Sequence, residues 1–287
     1  MFDFRYHVAS LAAVFLALVI GILVGVGISG RGFVDKSERN KLEARIDRLQ
    51  ARVDELSREN DSLRNEQQAG RAFMTDAYPV LMSGRLTGKR VAVIVVGAPG
   101  SSAASNSFRA LDDAGAAGSR YRALKLPVAA GAVKRALVGY DGSPQLGDLG
   151  RTLAQEWVSG GRTPVSDALT PVLVEEQRGT SAKPADGVVV VQTEPPRGTA
   201  TKRFLDGLYG GLGSAGIPVV AVEESGLLVS TVPQFDAFAG FSTVDDVDTP
   251  SGRLALALVL AGAAEGNYGV KQTASAPLPK IEPTPAP

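Results

Sequence analysis

The sequence predicts an α/β protein: an N-terminal transmembrane helix and a coiled-coil stalk, followed by an open, mainly parallel α/β domain. Three observations carry this. Val8–Ile28 is an uncharged run, the polar stretch after it repeats leucine every seventh residue, and beyond that continuous β-branched runs alternate with helical stretches.

Residues 1–7 form a short flank, and residues 8–28 read VASLAAVFLALVIGILVGVGI, with Ser10 the one conventionally polar side chain. At 1.5 Å per residue such a helix covers roughly 30 Å, the hydrocarbon thickness of a bilayer. A core helix of a soluble domain is normally shorter or broken by polar residues. A cleaved signal peptide is the main rival, since Gly27-Ile28-Ser29 is a small-x-small triplet; the length of the apolar run favours an uncleaved signal anchor. Orientation divides the reading. Arg5 alone is basic before the span, whereas Arg31, Lys36, Arg39, Lys41 and Arg45 follow it, which places the following chain in the cytoplasm by charge count. That rule weakens for long translocated domains. Inside the span Ala17, Gly21 and Gly25 lie four apart, the spacing that lets two helix backbones approach closely.

Over residues 35–68 the composition turns charged. Leu42, Leu49, Leu56 and Leu63 fall seven apart, with Ile46, Val53 and Asn60 between them. With leucine at d, the a positions are Ile46, Val53 and Asn60. β-branched a with leucine d suits a parallel two-stranded coiled coil, and a single buried Asn fixes register. Glu59 can meet Arg64 of a partner, while Glu38 and Glu43 do not add support. A single amphipathic helix lying on its own domain is the plainer reading, which so polar a remaining surface argues against. The stalk would be about 50 Å long, joined to the span through Gly30 and Gly32. The expected partners are thus the membrane and either a second copy or a homologous helix.

Residues 71–271 read as the α/β domain. Arg90–Val96 (RVAVIVV), Asp186–Gln192 (DGVVVVQ) and Ile217–Val222 (IPVVAV) are strands of the kind buried on both faces, with Tyr121–Leu126 a weaker candidate. Helical stretches fall at Ser105–Ala114, Leu149–Val158, Thr199–Leu212 and Ser251–Ala264, which implies βαβ units. The last stretch, residues 272–287, holds prolines at 277, 279, 283, 285 and 287 and reads as a disordered or polyproline tail.

Composition removes several function classes. Thirty basic residues balance thirty acidic ones, so no electrostatic footprint for nucleic acid is present. There is no cysteine and one histidine, His7, which excludes thiolate sites, Ser-His-Asp chemistry and multi-histidine metal centres. Gly97-Ala98-Pro99-Gly100 sits where a phosphate loop would, yet lacks the GxGxxG spacing, and Pro99 removes a backbone donor. Gly84 to Arg90 (GRLTGKR) has P-loop composition in the wrong order. Both read as turns. Asp245, Asp246 and Asp248 lack calcium-loop spacing, and Asp248 or Thr249 reads better as the cap of the helix opened by Pro250. Glu223-Glu224 ends a strand, a place where open sheets hold ligands. No cofactor is evident and the chain does not read as an enzyme.

The opening MFDFRYHVASLAAVFLALVIGILVG, the heptads, the strand GKRVAVIVVGAPG and the ending DTPSGRLALALVLAGAAEGNYGVK resemble the actinobacterial copper transport protein B (MctB-like) family, over nearly the whole chain up to the proline-rich end. The resemblance implies a cell-envelope protein, anchored in the membrane by its N-terminus, with an extracytoplasmic body and a role in copper homeostasis or efflux. It favours the N-terminus inside, against the charge count. The residues themselves do not suggest copper, since copper(I) prefers thiolate or thioether and copper(II) imidazole. Met74 and Met82 are the candidates for a metal site in the body, and on a straight helix they stand about 12 Å apart. Two functions follow: a copper-homeostasis component, or a coiled-coil scaffold that recruits or regulates envelope partners such as cell-wall hydrolases without binding copper itself.

Overall fold

A computed structural model describes residues 4–29, 36–138, 145–180, 182–227 and 229–282. The Gly30/Gly32 joint and the prolines at 283, 285 and 287 lie outside the described residues. The chain divides into two units, Met1–Ala69 and Gly70–Pro287.

The first unit holds α1 (Phe4–Ser29) and the greater part of α2 (Lys36–Met82). In α1, Tyr6–Val26 is a 21-residue stretch long and apolar enough to cross a membrane, with none of it buried in protein. Ala17, Gly21 and Gly25 are exposed, and nothing stands within 4 Å of where a Cβ on Gly21 or Gly25 would be. Within α2, Leu42, Ile46, Leu49, Val53, Leu56 and Leu63 are each 54–64% exposed, and Asn60 is exposed beside them. Arg64 faces Asp61 of its own chain at 3.8 Å in an exposed pair, a contact of little energetic weight.

The second unit is built on a seven-stranded sheet in the order β3-β2-β1-β4-β5-β6-β7. These strands are β1 (Arg90–Val96), β2 (Gly118–Leu124), β3 (Val174–Arg178), β4 (Gly187–Gln192), β5 (Val219–Val222), β6 (Phe241–Val244) and β7 (Asn267–Tyr268). All neighbours are parallel except β3, which pairs antiparallel with β2. The weak strand candidate at Tyr121 is therefore real, and it begins three residues earlier. Helices α3 (Ser102–Asp113), α4 (Ala130–Ala136), α5 (Leu146–Ser159), α6 (Pro164–Leu173), α7 (Thr199–Gly213) and α8 (Pro250–Ala261) complete the unit.

Alternation along the strands sends side chains to two cores, as a pleated sheet requires. Val91, Val93 and Val95 of β1 pack with α3, α8, Met82 and Leu86; Ala92, Ile94 and Val96 pack with α5, α6 and α7. Both faces being covered explains why the central strands read as unbroken apolar runs. The order places β1 and β4 side by side at the point where the winding reverses, the crevice position of doubly wound folds.

The expected disorder from residue 272 does not hold for its described part. Ala276 bridges Tyr268, Leu278 packs against the core, Pro279 is buried, and Arg85 donates to the Glu282 carbonyl. Apolar contacts and these backbone bonds fix residues 272–282, which proline content by itself did not reveal.

Candidate functional site

The carboxyl edge of the sheet, where β1, β4, β5 and β6 end, is the place to seek a ligand. Near the reversal point, the loop after β1 is tied to the loop after β4: Ala98 N–H donates to Thr193 Oγ1 at 3.1 Å, and Thr193 N–H donates to the Val96 carbonyl at 3.1 Å. Gly97, at φ +117°, lies so close to Thr193 that a side chain there would collide with its hydroxyl. Gly100 N–H points to the Tyr121 hydroxyl, and Ser101 caps α3 by accepting from Ala104 N–H. The backbone donors of Ala98, Gly100 and Ala104 are thus engaged within the protein, as befits a turn.

One strand further, the five carboxylates singled out in the sequence gather at the ends of β5 and β6. Glu223 is buried and takes Lys271 Nζ at 2.7 Å, together with the Ser230 hydroxyl and the Thr231 N–H and hydroxyl. Burial pushes its carboxyl up, yet the Lys271, Ser230 and Thr231 hydrogen bonds outweigh that and hold it below the usual range. Glu224 accepts from the Ser102 hydroxyl at 2.7 Å. Asp245 accepts from the Val270 and Lys271 N–H groups and is raised, chiefly by burial. Asp246 is fully buried, bonded to Thr249 and Ser251 through one oxygen, and likewise raised by burial. Its other oxygen lacks a hydrogen bond and lies against Gly252, where a Cβ would collide. Asp248 holds the Ser225 N–H and hydroxyl, and Thr249 is the helix cap, accepting from Gly252 N–H at 3.0 Å. Of the two residues considered for that cap, Thr249 fills it.

The cluster is thus a strap fastening the chain after β7 to the sheet. Lys271 is its cation, and no sequence signal marks it: it lies 48 residues beyond Glu223, at no motif spacing. Among the described residues no group of three or more His, Cys, Asp or Glu is arranged to hold a metal ion. Met82 is fully buried in the core and Met74 packs against it. Both thioethers serve as apolar filling of that core.

An apolar, membrane-length helix joined to a doubly wound α/β body defines a membrane-associated protein whose sheet edge is closed by its own side chains. A family model described as "Copper transport outer membrane protein, MctB" matches residues 1–125 and 119–279. The chain belongs to this family. A transport family accords with a non-enzymatic role. No curated protein matches the chain.

Proposed function

We propose that the protein is a single-pass, membrane-anchored envelope component with its α/β body outside the cytoplasm, and that it serves copper homeostasis as a scaffold. Two chains pair in parallel through the first half of α2, or one chain pairs with a homologous helix, and the assembly recruits or regulates envelope partners. The observation that supports this best is the exposed seam Leu42, Ile46, Leu49, Val53, Leu56 and Leu63. A helix surface this polar, carrying one regular apolar seam, gains stability by zippering with another helix. Asn60 in that seam meets its twin across a parallel axis, whereas an antiparallel partner would leave its amide against an apolar layer. The small-residue face Ala17, Gly21 and Gly25 supports close pairing of the spans in the same sense.

Copper enters through the family, and the chain's own donors do not hold it. The ligands for the cargo come from partners or from the assembly. Pull-down from membranes with the intact protein tests the scaffold: partners or a second copy should co-purify, and Leu49→Lys with Leu56→Lys should release them, because unpaired charge in such a seam is costly. A purified chain that takes a stoichiometric copper ion from a chromogenic chelator would contradict the reading.

A further inference from the structure

Charge on the first half of α2 is sorted by face. Lys41, Arg45, Arg48 and Arg52 are spaced i, i+4, i+7 and i+11, which sets them within about 30° of one line along a helix of 3.6 residues per turn. Glu43, Asp47 and Asp54, spaced i, i+4 and i+11, follow a second line about 150° away. The apolar seam of Leu42, Ile46, Leu49 and Val53 runs between them, about 90° from the basic line and about 120° from the acidic one. All seven charged residues are exposed, and among the described residues none of them stands in an ion pair. Glu55 and Glu59 continue the first face, so its basic stretch ends at Arg52.

Such sorting costs a lone helix. Like charges three or four residues apart repel, whereas opposite charges at the same spacing would have stabilised it. Pairing through the seam does not answer the basic face either. In a parallel pair Arg45 meets Gln50 of the second copy and Arg52 meets Ser57, neither of them charged, while Lys41 and Arg48 lie at outward positions of the heptad. The two charged faces do answer each other. Lys41 and Glu43, Arg48 and Asp47, and Arg52 and Asp54 differ in height by no more than two residues, about 3 Å on a helix. Copies of α2 running side by side in one direction bring basic against acidic without axial slip.

We propose that these faces are a lateral docking surface, and that its occupant is a neighbouring pair of this same chain. The proposal rests on the parallel pairing through Leu42, Ile46, Leu49 and Val53. Two-fold symmetry then gives each side of a pair one basic face and one acidic face. A neighbour displaced sideways matches both at once, a head-to-tail contact that continues as a row. Each exposed ion pair is weak. Three levels on two helices, between chains held in one membrane by the proposed anchor, add up through effective concentration.

Oxidised Leu49→Cys locks each pair. The locked full-length chain, with a C-terminal fluorescent tag, is reconstituted sparsely in liposomes, where stepwise photobleaching counts the chains in each assembly. Assemblies should exceed two chains at about 0.01 M salt and fall to two at about 1 M, as the screening length drops from about 30 Å to about 3 Å. One variant adds Lys41→Glu, Arg45→Glu, Arg48→Glu and Arg52→Glu; another adds Glu43→Lys, Asp47→Lys and Asp54→Lys. Each alone has two like-charged faces and should count two chains, and the two, locked separately and then mixed, should again exceed two. Locked chains that never exceed two, larger assemblies that persist at 1 M salt or in either variant alone, or a mixture that stays at two overturns the proposal; the salt series decides it even if a charge variant does not pair. Failure of Leu49→Cys to form its disulfide contradicts the pairing on which the row rests, whereas a disulfide without larger assemblies contradicts the row alone.

Discussion

Lys271 and Glu223 show how one pair of side chains fixes a segment far along the chain. Glu223 is fully enclosed and Lys271 is largely so, with side chains 0% and 16% exposed. Removing one partner of such a pair leaves a buried charge unanswered, so Lys271→Met should cost about 3 kcal/mol, read by thermal or urea unfolding of the full chain. The sign with pH follows from the lowered Glu223 carboxyl. Its contribution is fully present above the ordinary carboxylate value of 4.5 and is lost as pH falls through the depressed folded value. Wild type should therefore lead Lys271→Met most at neutral pH, and the gap should close on acidification. Asp245 and Asp246, raised by burial, act in the opposite sense, since protonation relieves them in the folded state. At this scale the sequence was half legible. Thr249 before Pro250 was readable as a cap because capping is local; Glu223 with Lys271 was not, because a tertiary ion pair leaves no mark in spacing.

Among the elements, α5 and α7 make the closest crossing. A Cβ on Gly207 would strike the Gly147 carbonyl, and one on Gly150 would strike the Phe204 carbonyl. Gly207→Ala should consequently push the two helices apart and destabilise the body by about 1–3 kcal/mol, the usual cost of overpacking, even though alanine is the better helix former. An unchanged melting temperature would show that the crossing is looser than it stands. The elements that were legible share one property: enough residues to show a period or an apolar run. β1, β4 and β5 announce themselves as RVAVIVV, GVVVVQ and VVAV, and α3, α5, α7 and α8 by their buried faces. What was missed is short or atypical. β6 has four residues and β7 two; β3 (VEEQR) is a polar edge strand, and α6 carries Pro164 and Pro171, the second an unfavourable residue inside a helix.

For the whole molecule, the proposed topology puts the anchor and the body in different physical environments, and that arrangement is testable without a purified sample. A phosphatase fused after Gln68 should be active outside the cytoplasm, and a fluorescent cytoplasmic reporter at the same point should stay dark; the reverse pattern would follow the charge count instead. The apolar N-terminal helix and the α/β body were plain in the sequence because uncharged length and strand–helix alternation are global signals, whereas the proposed pairing through α2 depends on a second chain. That pairing is the centre of the account. Because the chain has no cysteine, Leu49→Cys and Leu56→Cys each introduce a single thiol, and oxidative cross-linking in native membranes reads their neighbours directly. Parallel, in-register strands bring each d position beside its own copy, so both variants should give a covalent dimer while cysteine at Arg58, two residues past Leu56 on the outer face of the heptad, should not. Failure of both to cross-link, in a solubilised protein that sediments as a monomer with no partner bound, would contradict the scaffold.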